Sequence, residues 1–441
     1  MNRFSRIFQP IVAISKSANI TNKDFMSKSQ RLMLELGIIH QAIPGCFHFL
    51  PMGLRSINKI MNIVDEEMHK IGGQKIMFPT LVKAELWEKS GRENEMRPEL
   101  IVLKDRHNQK YLLGPTHEET ASNLIASLAP TSYKKYPLLL YQITSKFRDE
   151  MKPRFGLIRA REFLMKDMYS FDITSESALN TYNSICDSYD RVFQRIGVDF
   201  IKVQGDSGAM GGNFSHEYHY ISNIGDDKIL ICLNCQYSTN VELIHEDKCP
   251  KCGETNNIHI KNAIEVGHTF LLGEKYSKPL QANYLDEQSK PQVLQMGSYG
   301  IGISRILGAA LECLSLETEL RWPDSIAPYH VVIIPPKKGS KQALQMQNLD
   351  EKLYRNLESH IPNLRNDITI DDRIELTIGR RILDCKRTGI RYLIVLNELS
   401  LKTPPIFEIN DTVTGEQFNF SENELYAFFS DKEFAKQGAV L

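Results

Sequence analysis

Residues 146–167 read Lys146-Phe147-Arg148-Asp149-Glu150, then MKPRFG (151–156), then Leu157-Ile158-Arg159-Ala160-Arg161-Glu162-Phe163-Leu164-Met165-Lys166-Asp167. An apolar strand over 137–150 ends in charge, and a second strand covers 157–171. The MKPRFG loop makes the two a long hairpin. Seven basic and four acidic side chains lie between 146 and 167, more than a solvated hairpin needs. Arg148 can fork onto a phosphate or carboxylate through two hydrogen bonds. A flat Phe163 on the facing strand can stack a purine, and together they would hold a nucleotide bent across a sheet.

A second stretch supports a ligand there: Gly297-Ser298-Tyr299-Gly300-Ile301-Gly302-Ile303-Ser304-Arg305. Its glycines let a ligand approach the backbone, and Arg305 falls one turn into the following helix. The spacing is neither a dinucleotide fingerprint nor a P-loop.

Around these stretches the periodicity predicts a helix over 53–71, carrying Leu54, Ile57, Met61, Val64 and Met68 and stopped by Gly72-Gly73. A strand at 75–78 is cut by Pro79. A hairpin covers 99–113. Thr116 fits as the N-cap of the next helix, with Glu119 closing a capping box. A helix over 176–196 presents Leu179, Tyr182, Ile185, Tyr189, Val192 and Phe193. Short strands follow at 199–235 and 264–272. From about Pro328, strands at 330–335, 367–371 and 392–396 alternate with helices near 341–359 and 376–388. The expected fold class is α+β: an antiparallel-sheet catalytic domain followed by a small α/β domain.

The chain has 441 residues, 42% hydrophobic and 24% charged, with a net charge of -1. This is globular composition; it excludes a uniformly basic nucleic-acid binder but not a local basic surface. No 18-residue apolar window exists, which argues against a membrane-spanning helix. Residues 1–24 are basic, Ser-bearing and, up to Lys23, free of acid, the composition of an organellar transit peptide. Eight cysteines in a chain of this length indicate a reducing compartment. Cys232-x2-Cys235-x13-Cys249-x2-Cys252 has the spacing of a structural zinc site. His216 and His219 lack metalloprotease spacing, and a strand would put them on alternating faces with Tyr218, so they are not read as metal ligands.

The strings at 51–79, LLGPTHEET (112–120), 146–171, GGNFSHEYH (211–219), IEVGHTFLLGEKYS (264–277) and MGSYGIGISR (296–305) resemble, in order, the motifs of class II aminoacyl-tRNA synthetases. The likeness is closest to prolyl-tRNA synthetases of the bacterial and mitochondrial kind, and it spans roughly residues 25–440. The resemblance implies ATP-dependent activation of proline and its transfer to tRNA(Pro). Arg148 would bridge the proline carboxylate and the α-phosphate, and Arg305 would bind the γ-phosphate. Glu150 would receive adenine or ribose, and Phe163 would stack adenine. Glu265 and His268 would contact ATP, with Glu265 as a Mg2+ ligand. Thr116, Glu118, Asp167, Phe214 and His216, with Arg148, would form the proline pocket.

The resemblance also implies a catalytic domain at 25–327, with a cysteine knuckle at 228–262, and an anticodon-binding domain at 328–441. Arg373, Arg380, Arg381, Lys386 and Arg387 lie in its anticodon region. It implies a homodimer in the mitochondrial matrix, with no membrane partner. About 27 residues separate Asn240 from Gly267, too few for the editing domain that bacterial relatives insert there. A non-catalytic tRNA-binding paralogue would have lost Arg148, Glu150, Phe163 or Arg305. A threonine enzyme would need a zinc in the pocket, where the cysteine quartet does not lie.

Overall fold

The computed structural model describes residues 1–11, 27–128, 131–212, 214–244 and 248–432. Contacts divide the chain into two compact units. One comprises 1–41, 48–62 and 310–441; the other comprises 42–47 and 63–309.

The second unit is built on a nine-stranded sheet. In chain order its strands are β1 Gln74–Lys75, β2 Leu138–Phe147, β3 Glu162–Asp172, β4 Ile201–Gln204, β5 Phe214–Ile221, β6 Asp227–Cys232, β7 Ser238–Asn240, β8 Ile258–Gly273 and β9 Gln295–Gly302. Their spatial order is β5-β4-β7-β6-β8-β9-β3-β2-β1, and β5 also pairs with β8. The hairpin forms as expected: β2 and β3 pair antiparallel from Leu138↔Phe171 to Phe147↔Glu162. One ladder row then crosses four strands, through Gln142↔Asp167, Asp167↔Gly300 and Gly300↔His268. Sequence segments more than a hundred residues apart thereby share one face.

Helix Pro51–Lys70 (α1) precedes the sheet. Ala84–Ser90 (α2), Arg92–Met96 (α3) and Glu118–Ser127 (α4) follow, and Ser175–Ile196 (α5) covers the other face of the sheet. Thr174 caps α5 by accepting from the Ser177 amide, and Gly197 ends it at φ +83°. Tyr182, Ile185, Tyr189, Val192 and Phe193 are fully buried. Leu179 is exposed instead, and the buried Ala178 takes the stripe position four residues before Tyr182.

The capping box is also corrected. Helix α4 starts with His117 as N-cap, without a side-chain cap bond, and Thr116 Oγ1 has no hydrogen-bond partner among the described residues. Glu119 turns instead to Ser90 and the buried Arg92, because a cation attracts a carboxylate more strongly than a backbone amide does. Helix α6, Ile303–Leu314, follows β9 directly.

In the first unit, β10 Val331–Ile334, β11 Ile368–Ile370, β12 Tyr392–Val395, β13 Ile406–Asp411 and β14 Gln417–Ser421 form a sheet in the order β11-β10-β12-β13-β14. The helix expected at 341–359 is two helices, α7 Lys341–Gln345 and α8 Leu349–His360, separated where Asn348 takes φ +62°. Ile378–Thr388 (α9) is the basic helix, and Glu422–Ser430 (α10) closes the chain's last described turn. The core gathers Val331, Ile333, Leu357, Ile370, Ile394 and Phe429.

Of the expected leader, residues 12–24 lie outside the described residues. The first residues run along the β11 edge: the Ile370 amide donates to Asn2 O at 3.0 Å, and Phe4 is buried. Among the described residues no helix is long and apolar enough to cross a membrane.

Candidate active site

Two cavities meet on the open face of the nine-stranded sheet. Both are lined by Arg148, Phe163, Glu265 and Arg305. The first continues to Glu150, Arg159, Asp226 and Asp227. The second continues to Thr116, Glu118, Asp167, His268, Ser298 and Gly300. A Cβ on Gly300 would meet nothing nearer than Met165 Sδ, 3.8 Å away, so packing does not demand this glycine; its effect is to leave the cavity floor flat.

Arg148 stands at the junction. Its guanidinium lies 5.3 Å over the Phe163 ring, and among the described residues its Nε has no hydrogen-bond partner. Burial and the nearby Arg305 lower its pKa. A partly buried cation with little compensating charge attracts an anion. Arg305 is aimed by two carbonyls: its Nε donates to Ile158 O and its Nη1 to Glu265 O, both at 2.9 Å.

Glu150 pairs with Arg159 at 2.8 Å. Glu265 accepts from His268 Nδ1 at 3.1 Å. Burial alone would raise the Glu265 pKa, but His268 and Arg305 outweigh it and hold the group at about 2. Asp227 is pushed up to about 6 by burial and by the charges of Glu265 and Glu217. Carboxylates crowded in this way suit a divalent cation.

In the second cavity Glu118 is fully buried. One of its oxygens accepts from Ser298 Oγ at 2.8 Å and the other from Arg92 Nη1 at 2.7 Å. Against the cost of burial, the Arg92 charge keeps its carboxyl ionised below the usual range. Asp167 also lines this cavity, but it is answered by Lys146 at 2.7 Å, Gln142 at 2.9 Å and Tyr169 at 2.8 Å.

Phe214 and His216 do not join the pocket. His216 Nδ1 meets Tyr182 Oη at 2.8 Å, and the Phe214 ring packs 5.5 Å from Tyr182. Both therefore face α5, across the sheet from the cavity. Strand alternation decides this: His216 pairs with Thr269, whose hydroxyl also faces Tyr182. The intervening Glu217 turns the other way, toward His268. Glu217 bonds His219 at 2.8 Å.

The four cysteines of the quartet converge, their Sγ atoms all within 4.8 Å of one another. Cys232–Cys252 and Cys235–Cys249 are each 3.6 Å apart. Thiolates about 2.3 Å from a tetrahedral zinc stand at nearly this separation.

In the basic helix α9, Arg380, Lys386 and Arg387 reach the surface and pair with Asp384, Glu319 and Glu35. Arg373 is held by Asp371 and Asp384. Arg381 is a correction to the anticodon set: it is fully buried, and its guanidinium donates to Asp371 O and Pro335 O. It braces the sheet and cannot meet RNA.

Arg92 and Asp227 carry no signal in the sequence, since only the tertiary fold brings them to the cavities. Ser298 stands in the glycine stretch, but its bond to Glu118 depends on α4 meeting β9 in the fold.

Fold and site together define a class II aminoacyl-tRNA synthetase. The tRNA synthetase class II core domain model (G, H, P, S and T) matches residues 101–313, and the anticodon binding domain model matches 330–432. A crystal structure of prolyl-tRNA synthetase from Cryptosporidium parvum, complexed with L-proline and AMP, shares the fold. Its TM-score is 0.73 at 19% identity, over 92% of this chain and 75% of that one.

Within the class, the chain belongs to the proline–tRNA ligase family. It is 45% identical over 421 residues to the probable mitochondrial proline–tRNA ligase of Rattus norvegicus, covering 93% of this chain and 87% of that protein. It is 36% identical over 404 residues to the Schizosaccharomyces pombe counterpart, covering 90% and 92%.

Proposed function

We propose that this protein is an active proline–tRNA ligase, which activates L-proline with ATP and passes the prolyl group to the 3′ end of tRNA(Pro) for mitochondrial translation. The supporting observation is Arg148, which lines both cavities at their junction and whose Nε has no hydrogen-bond partner among the described residues. There its fork reaches the proline carboxylate on one side and the α-phosphate on the other, and stabilises charge that builds during in-line attack. The first cavity takes ATP, with Phe163 against adenine, Glu150 toward adenine or ribose, and Arg305 toward the γ-phosphate. The second takes proline: Glu118 accepts the secondary ammonium, Thr116 offers its hydroxyl, and Asp167 closes the wall. No covalent nucleophile is required; positioning and charge suffice.

Glu265, beside His268, holds Mg2+ together with Asp227, where the cation offsets phosphate charge. The cysteine quartet holds a structural zinc. The catalytic span is 25–327 and the anticodon module 328–441, preceded by an import leader at 1–24. The chain acts as a homodimer in the matrix and lacks editing of alanyl-tRNA. The pocket alone then discriminates against alanine by about 1–3 kcal/mol per missing methylene. A paralogue without catalysis is disfavoured because Arg148, Glu150, Phe163 and Arg305 are all present in the two cavities.

Proline-dependent exchange of pyrophosphate into ATP is the test. Exchange with proline and not with threonine is expected; folded protein without proline-dependent exchange refutes the assignment.

A further inference from the structure

Behind Glu118 lies a buried charge cluster that the reaction as described does not use. Arg92, Glu118 and Glu119 are each at most 1% exposed, and one guanidinium serves both carboxylates. Arg92 Nη1 stands 2.7 Å from Glu118 Oε2 and 3.5 Å from Glu119 Oε2. Arg92 lies 4.5 Å over the Trp87 ring, which fixes it from below. Glu119 is held at its other oxygen by Ser90 Oγ at 2.9 Å, and among the described residues its Oε2 has no hydrogen-bond partner. With both carboxylates ionised the cluster carries one uncompensated negative charge in a dry site, which is costly. A secondary ammonium arriving at Glu118 would cancel it.

We propose that Arg92 and Glu119 are positioning residues for the imino group of the amino acid: Arg92 clamps Glu118 from behind, and Glu119 supplies the extra negative charge that the incoming cation answers, so that a proton on Glu119 and proline in the pocket exclude each other. The inference rests on Glu118 as the acceptor of that cation.

The groups facing Glu119 are few. Glu118 and His117 come from its own helix and its cap, Arg92 from α3, and Ser90 and Trp87 from α2. Tyr276 lies 5.8 Å beneath the Arg92 guanidinium. Burial, opposed by Arg92 and reinforced by Glu118, pushes Glu119 up to about 7. Glu118 stays low, and burial lowers His117, so neither accounts for a change near neutral pH.

The sign follows. Below the Glu119 pKa the empty cluster is neutral and attracts the ammonium less. Above it the cluster is negative and attracts it more. Binding therefore expels a proton from Glu119, and proline affinity rises with pH.

The experiment measures KM for proline by pyrophosphate exchange between pH 6 and 8.5, with calorimetry of proline binding in two buffers of different ionisation heat. Wild type should show KM for proline falling roughly tenfold across pH 7 and proton release near pH 7. Glu119→Gln should give a raised, pH-independent KM for proline and no proton release, with kcat near wild type. Ser90→Ala, which removes a bond to the ionised form, should move the inflection upward even if Glu119→Gln does not fold. Arg92→Lys should raise KM for proline several-fold at retained kcat. A wild-type KM for proline that is flat with pH, or an unchanged profile in Glu119→Gln, overturns the proposal. Glu118→Gln separates the two readings: near-normal KM for proline in that variant refutes Glu118 as the acceptor itself. A large rise, with Glu119→Gln unaltered, refutes only the linkage.

Discussion

At the scale of single residues, charge without a partner marks the site better than charge alone. The 146–167 stretch contains seven basic side chains, yet of these only Arg148 lines both cavities, where Arg305 from α6 joins it. Arg159 is spent on Glu150 and Asp226, and Lys166 is buried against Tyr189. Arg148→Ala should lower proline-dependent exchange by about a hundredfold or more while the circular dichroism spectrum stays native; exchange within a few-fold of wild type would show that the residue does not touch the reacting groups. These arginines were legible because motif and chemistry coincide. Arg92 was not, because its clamp depends on α3 and α4 meeting through the fold, and nothing local distinguishes it from a surface arginine.

At the scale of elements, strand parity and helix pairing decide what each side chain does. Phe214 and His216 were read into the proline pocket because their string matches, but a string cannot say which face of β5 each residue takes. A one-residue offset reverses every assignment. His216→Ala should therefore lower thermal stability, through loss of the Tyr182 contact, and leave KM for proline unchanged. Thr116→Ala should do the opposite, raising KM for proline with little change in melting temperature. Equal effects on KM would put His216 back in the pocket.

The α1–α5 pairing gives a second test. Glu67, 1% exposed, binds Lys70 at 2.6 Å, and Arg191 and Arg195 at 2.8 Å each. Burial alone would raise its pKa; the three cations hold it down to about 2 instead of 4.5. Its contribution is thus complete above pH 4.5 and is lost as pH falls toward 2. Because the partner cations are themselves partly exposed and screened, on the order of 1–2 kcal/mol should disappear over that window. Glu67→Gln should be less stable at pH 7 and show a shallower acid-unfolding curve there, measured by denaturant melts at stepped pH. The helices themselves were readable from apolar period, whereas the break at Asn348 and the true start of α4 depend on which partner wins a side chain.

At the scale of the molecule, the chemistry of activation and the reading of tRNA draw on different residues. Every group assigned to ATP or proline lies in one compact unit, residues 63–309, and the basic helix α9 lies in the other. The net charge of -1 offers no general attraction for RNA, so on the proposed function affinity comes from placed cations, for which Arg380, Lys386 and Arg387 are the candidates. Each cation that meets a phosphate releases counterions, and removing it should flatten the salt dependence of binding by roughly one unit of slope. Arg380→Ala and Lys386→Ala should accordingly raise KM for tRNA in the charging reaction and lower its salt sensitivity, while proline-dependent pyrophosphate exchange without tRNA stays at the wild-type rate. Arg381→Ala should behave differently: with its two carbonyl bonds lost, the module should melt earlier, and charging should fall through instability, not through a changed salt slope. If the Arg380 and Lys386 variants charge normally at all salt concentrations, this face of α9 is a solvated surface and the tRNA contacts lie elsewhere in the module.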